Sequence, residues 1–167
     1  MTREDACRSI YREAFCDPDT EFEDLLFKYC YKYCKTLEIN NKTVSMLFAL
    51  PCDIDGTNAT YIYAVATLKS ERGKGYMKQL INEVKQKFDL CFLRPANKSL
   101  IEYYKNLEFN EIKTDNKNFS VPKVVPKYEY GELLDKFELH SEEDCILMYY
   151  SNKKLNIERL KFTGSME

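Results

Sequence analysis

Tyr61-Ile62-Tyr63-Ala64-Val65-Ala66-Thr67 is followed after two residues by Ser70-Glu71-Arg72-Gly73-Lys74-Gly75-Tyr76, and these two stretches decide the fold. The first is apolar on both faces, the pattern of a strand in the middle of a sheet. The second is a turn with glycines two apart. It leads into Met77, Leu80, Ile81, Val84 and Phe88, whose spacing predicts a helix. A glycine-bearing strand-to-helix turn aims several backbone N–H groups at one place, and the helix start adds partial positive charge. Such a turn suits a diphosphate. Arg72 and Lys74 can add side-chain charge. The pattern is neither a Walker loop nor the Gly-x-Gly-x-x-Gly of dinucleotide folds.

Working outward, Thr2-x-x-Asp5 resembles a capping box, with Cys7, Ile10, Tyr11, Ala14 and Phe15 at helical spacing behind it. Asp17-Pro18-Asp19 interrupts, and Thr20-x-x-Glu23 reads as a second capping box feeding Phe22, Leu25, Leu26, Tyr29, Cys30 and Tyr33. Two short amphipathic helices therefore open the chain. The period then changes to two: Thr36 to Glu38, an Asn40-Asn41 turn, and alternating Val44, Met46, Phe48 and Leu50 predict a hairpin. After the central strand and its helix, Leu90 to Leu93 is a short buried strand. Asn97 can cap a helix carrying Leu100, Ile101 and Tyr104, and Phe109 to Ile112 begins another strand. Val121-Pro122 and Val125-Pro126 make the segment 115–142 a loop-rich insertion before a last strand, Cys145 to Tyr150. The prediction is one mixed α/β domain over residues 1–167, built around a single sheet.

Composition bounds the rest. At 167 residues and 19.8 kDa the length is that of one domain. The 44% hydrophobic and 14% aromatic content supplies a full core and excludes a disordered chain. Lys plus Arg number 25 against 27 for Asp plus Glu, so no basic surface advertises nucleic acid. No run of about 18 apolar residues predicts a membrane span. The charged start Met1-Thr2-Arg3-Glu4-Asp5 has no apolar leader, which predicts a cytoplasmic protein. Its seven cysteines are then expected as free thiols. There is no CxxC pair and His140 is the only histidine, so no metal site is expected. Cys30 and Cys34 sit four apart on an expected helix face and read as small buried hydrophobes.

Two motifs together resemble a known family. Arg72-Gly73-Lys74-Gly75-Tyr76 after Val65-Ala66-Thr67 is similar to the cofactor loop of the GNAT family of N-acetyltransferases. At the right distance behind it, Asn97-x-x-Leu100-Ile101-x-x-Tyr104-x-x-Leu107-x-Phe109 resembles that family's second signature, Asn-x-x-Ala-Ile-x-x-Tyr-x-x-Leu-Gly-Phe. The chain departs from the pattern at Met77, where the family has a small residue, and at Glu108, where it has glycine. It also opens with a helix where the family has a strand. Wording such as Leu93-Arg94-Pro95-Ala96 is closest to poorly characterised bacterial members.

The resemblance implies a GNAT-like, mostly antiparallel sheet flanked by helices and splayed at a cofactor cleft. It implies acetyl-CoA as cosubstrate and transfer of its acetyl group to an amine of a small molecule or a protein. The backbone of Val65, Ala66 and Thr67 would bond the pantetheine arm. The amides of Arg72, Gly73, Lys74, Gly75, Tyr76 and Met77 would hold the diphosphate. Asn97 would face the pantetheine or cap its helix. Tyr104 would protonate the departing thiolate. The base is a carboxylate, a water chain held by a tyrosine, or absent. Tyr103 points about 100° away on a helix and cannot share the role of Tyr104. Tyr29, Tyr31 and Tyr33 are candidates for the acceptor cleft, with packing the competing reading. Cys91 reads as buried packing, not as a nucleophile. The alternative is a degenerate acyl-CoA-binding or interaction module with the same fold. A monomer or homodimer is expected, with neither nucleic acid nor membrane as partner.

Overall fold

The computed structural model describes residues 1–54, 57–113 and 146–154. In chain order these form α1 (Arg3–Phe15), α2 (Thr20–Cys30), a 3-10 turn (Tyr31–Tyr33), β1 (Cys34–Ile39), β2 (Lys42–Ile54) and β3 (Thr57–Thr67). A second 3-10 turn (Lys69–Glu71) leads to α3 (Tyr76–Lys85), β4 (Leu90–Leu93), α4 (Ser99–Lys105), β5 (Asn110–Lys113) and β6 (Ile146–Ser151). The strands make one six-stranded open sheet, ordered β1-β2-β3-β4-β6-β5. Only β3 and β4 run parallel, joined by the α3 crossover that a parallel pair requires. The mixed, mostly antiparallel sheet predicted from the sequence is the fold. The expected insertion 115–142, His140 and Cys145 lie outside the described residues.

The sheet separates two cores, and strand alternation assigns residues to each. Met46, Phe48, Leu50 and Cys52 of β2 face α1 and α2, together with Leu90 and Phe92 of β4. Leu47 and Ala49, with Cys91 and Leu93, face α3 and α4. The β1–β2 hairpin closes through Asn40 and Asn41, both at positive φ (50° and 63°), the geometry that a two-residue hairpin loop demands and asparagine tolerates.

The first capping box forms as predicted: the Asp5 N–H donates to the Thr2 hydroxyl at 3.1 Å and the Thr2 N–H to the Asp5 carboxylate at 3.0 Å. The second does not form. Asp19, one residue earlier, accepts the Phe22 N–H at 2.9 Å, and Thr20 is the first helical residue. An aspartate caps at least as well as a threonine. Glu23, released from capping, is buried against α1, taking Arg8 at 3.1 Å and Arg12 at 2.8 Å. The helix face expected to join Cys30 and Cys34 is also corrected. The 3-10 turn after Cys30 ends α2, so Cys34 opens the edge strand.

Candidate functional site

The centre of the site is a break in β3. Between Met46 and Phe48, two steps along β2, the partner register in β3 moves from Ala66 to Tyr63, so β3 carries one extra residue. Ala64 absorbs it at φ 54°, in the left-handed region. Side-chain parity reverses there. Ile62 and Val65 belong to the α3 and α4 face, whereas Tyr63, Ala64 and Ala66 all pack on the α1 and α2 face. The ladder from β3 to β4 covers only Ala59 to Tyr61. Beyond it, among the described residues, the β4-side edge of β3 through Val65, Ala66 and Thr67 is unpaired. An extended chain with amide groups can lie there as an added strand.

β3 runs directly into the glycine turn. Gly73 and Gly75 both sit at φ 80°, which an L side chain resists. A Cβ on either would meet nothing within 4 Å, so the space above the turn is open to a ligand. The N–H groups of Gly73, Gly75, Tyr76 and Met77 donate to no acceptor among the described residues. The contrast with the opening helices is informative. α1 and α2 have side-chain caps and acids in their first turns, whereas α3 has neither. Its N-terminal partial charge is left for an external anion. The turn's cations are partly engaged: the Arg72 Nε donates to the Thr67 carbonyl at 3.1 Å, and the Lys74 ammonium meets Glu71 at 2.6 Å. Lys42 from the hairpin also reaches Glu71, at 3.5 Å. The Lys74 bond holds the Glu71 carboxyl below its usual range.

Ahead of α4, Asn97 accepts the Leu100 N–H at 3.2 Å and the Ser99 hydroxyl at 2.5 Å, and so organises the start of the helix. α4 then turns Tyr104 inward, 5% exposed, and leaves its neighbour Tyr103 at 37%. The Tyr104 ring meets Phe109 edge-on at 6.0 Å and Tyr103 at 5.3 Å, within the cluster that also holds Met77, Ile62 and Leu93. Its hydroxyl has no hydrogen-bond partner among the described residues. Burial raises its pKa well above that of an ordinary phenol. A buried donor with nothing to donate to calls for an explanation.

The profile of the acetyltransferase (GNAT) family matches residues 4–109, which span β3, the glycine turn and α4. This chain belongs to the GNAT family. No curated protein matches it in sequence. Among solved structures, the GNAT fold is shared with ribosomal-protein-alanine N-acetyltransferase of Brucella melitensis at 15% identity and TM-score 0.56, over 89% of this chain and 93% of that one. It is shared with N-acetylglutamate synthase of Neisseria gonorrhoeae, solved with coenzyme A and N-acetyl-glutamate, at 10% identity and TM-score 0.53, over 77% and 27%. A GNAT protein of Anabaena variabilis matches at 19% identity and TM-score 0.54, over 72% of this chain but only 35% of its own length.

The two departures from the GNAT signatures have local explanations. The Met77 side chain points into the α3 core beside Leu80 and Ile81, away from the open turn, so its bulk leaves the amides accessible. Glu108 occupies the glycine position at φ 71° and sends its carboxylate to Lys85 at 3.2 Å. Lys85 itself is buried, donating to the Leu107 carbonyl at 2.7 Å with its ammonium 4.1 Å from the Tyr150 ring centre.

Elsewhere the candidates divide. Cys91 is fully buried among apolar side chains, which pushes its thiol up to about 12, so it is packing and not a nucleophile. Tyr29, Tyr31 and Tyr33 are half-buried against the α1 and α2 core. Sequence reasoning missed the break at Ala64 and the carboxylate of Glu13. The latter accepts the Lys69 N–H at 3.0 Å and ties α1 to the start of the cofactor turn.

Proposed function

We propose that this chain transfers an acetyl group from acetyl-CoA to the nitrogen of an amine, carried by a small molecule or a protein. The observation that carries the reading is the set of four undonated amides at Gly73, Gly75, Tyr76 and Met77, placed at an uncapped helix start directly after an unpaired strand edge. A diphosphate fits the first feature and an amide-bearing pantetheine arm the second. The GNAT neighbour from Neisseria was solved with coenzyme A, which supports the same ligand here.

In this reading Val65, Ala66 and Thr67 hold the arm through backbone groups. The backbone from Arg72 to Met77, with Lys74 among its side chains, holds the diphosphate. Asn97 fixes the α4 turn, so that Tyr104 presents its hydroxyl toward the sulfur. That hydroxyl stabilises the thiolate as it departs. An ordinary thiol titrates near 8.5. Complete proton transfer from the far less acidic buried phenol is therefore uphill, and Tyr104 acts mainly as a hydrogen-bond donor to developing charge.

Calorimetric titration of coenzyme A into the wild-type chain and Gly75→Asp tests the reading. The variant sets a carboxylate against the diphosphate and should abolish measurable binding. For the wild type, ligand at 100 Kd should stabilise the fold by about 2.7 kcal/mol. A folded Gly75→Asp that binds coenzyme A as well as the parent would refute the site. Thiol release from acetyl-CoA over a panel of amines then separates turnover from the binding module: binding without release on any amine supports the module.

A further inference from the structure

Away from the glycine turn, two reactive side chains meet each other. Cys7 lies in α1 and Cys34 at the first position of β1, and their sulfurs are 3.9 Å apart. Cys16, Cys30 and Cys91 have no sulfur in contact among the described residues. Cys16 is exposed at the end of α1, Cys30 and Cys91 are buried, and the Cys52 thiol donates to the Leu50 carbonyl.

We propose that Cys7 and Cys34 form an oxidisable dithiol, a modification site at which a low-molecular-weight disulfide of the glutathione class is exchanged for an internal Cys7–Cys34 disulfide joining α1 to the sheet edge. The inference is independent of the acetyltransferase reading. Three observations carry it. Closing the bond requires the sulfurs to approach from 3.9 Å to about 2.05 Å, a shift of the size that side-chain torsions with slight backbone movement supply. The two sulfurs differ in access. Cys7 is fully buried, whereas Cys34 is half-buried on the strand at one end of the sheet order and is the more accessible of the two. The pair also differs in acidity. The Cys34 thiol donates to Cys7 and, with Arg3 nearby, lowers the Cys7 pKa, while the bond it gives and its burial raise that of Cys34. Cys30, buried without such a partner, is pushed up to about 12.

The exchange proceeds in two balanced steps. In the singly ionised pair, Cys34 passes its proton along the S–H···S contact to the Cys7 thiolate, and the Cys34 sulfur, now the thiolate, attacks one sulfur of the small disulfide. That S–S bond breaks, and the first small thiolate leaves. Cys7 then gives its proton to this thiolate and attacks the Cys34 sulfur, breaking the mixed disulfide and expelling the second thiolate, which takes a proton from water. One protein thiol and one protein thiolate are oxidised to the disulfide, and one small disulfide is reduced to two thiols.

The test is to incubate the reduced, full chain with oxidised glutathione, alkylate the remaining thiols, and map the peptides without reduction. A Cys7–Cys34 cross-linked peptide is expected. Cys16, exposed with no second sulfur in contact among the described residues, should carry only a mixed adduct and so reports that the oxidant is active. The cross-link closes a loop of about 27 residues, and the melting temperature should rise by about 5–10 °C, reversibly with dithiothreitol. Cys34→Ser should lose both the cross-link and the rise. Cys7→Ala should stop at a mixed adduct on Cys34; if that variant does not fold, Cys34→Ser and the peptide map decide alone. The proposal is overturned if Cys34 remains alkylatable once Cys16 carries its adduct. A wild-type mixed adduct on Cys34 that persists, or a cross-link from Cys34 to Cys30, overturns it equally.

Discussion

Replacing Tyr104 by phenylalanine should raise stability while destroying turnover, and that opposition of signs is the sharpest consequence of the site. The phenol is buried at 5% exposure, and its hydroxyl has no partner among the described residues. A buried hydroxyl left unpaired costs about 1–3 kcal/mol relative to one that is satisfied, so its removal forfeits no hydrogen bond. The ring keeps its edge contacts with Phe109 and Tyr103. We expect Tyr104→Phe to melt at or up to about 4 °C above the parent, equivalent to a gain of as much as 1 kcal/mol in a chain of this size. In the proposed reaction the same hydroxyl meets charge developing on sulfur, and kcat should fall by about 10²- to 10³-fold, or roughly 3–4 kcal/mol of barrier. KM for acetyl-CoA should hold, because the thioester sulfur is uncharged in the ground state. Burial keeps the phenol protonated beyond the ordinary tyrosine range, so Tyr104 adds no alkaline limb to the rate below about pH 10. Tyr103→Phe, one position along and 37% exposed, is the control and should change neither quantity. The assay is thiol release under saturating acceptor beside thermal melting of both variants. A Tyr104→Phe enzyme that keeps its kcat and melts lower would show that the hydroxyl is structural.

Two backbone positions yield further expectations. Ala64→Gly relieves a left-handed alanine and should raise the melting temperature by about 2–4 °C, whereas Ala64→Val puts a β-branched residue at φ 54° and should lower both stability and coenzyme A affinity; calorimetry and melting read both. At Glu108, also left-handed, Glu108→Gly should be more stable than Glu108→Ala by about 1 kcal/mol in denaturant unfolding, because both lose the Lys85 contact but only glycine releases the strain.

What the sequence discloses and what it hides divide by the range of the forces involved. The glycine turn is legible because the preference at Gly73 and Gly75 is local: φ 80° disfavours residues with a side chain whatever surrounds the turn. The two cores are legible for the same reason, since alternation in Met46, Leu47, Phe48, Ala49 and Leu50 fixes which face each side chain covers. Cys34 misleads because a spacing of four from Cys30 looks helical, and nothing in Tyr31-Lys32-Tyr33 announces the 3-10 turn that ends α2. The cations of the turn are visible as residues but not as free charges. Lys74 is engaged by Glu71, which Lys42 from the hairpin also reaches, and Arg72 by the Thr67 carbonyl.

Ala64 is the hardest case and the most consequential. An alanine carries no sign that its φ will be positive, and isolated it would avoid that region by about 1 kcal/mol or more. The strain persists because both ends of β3 are fixed independently, Ala59 to Tyr61 between β2 and β4, and Ala66 and Thr67 against Met46 and Ser45. A regular strand of the same length would keep one parity and turn Val65 onto the other face. The extra residue prevents this: Tyr63 and Ala64 share the α1 and α2 face, and Val65 stays on the α3 and α4 face. β4 ends at Leu93, so its ladder with β3 stops short of Val65, Ala66 and Thr67. The edge proposed for the pantetheine arm therefore combines a neighbouring strand that ends early with one residue held where its own conformational preference opposes it.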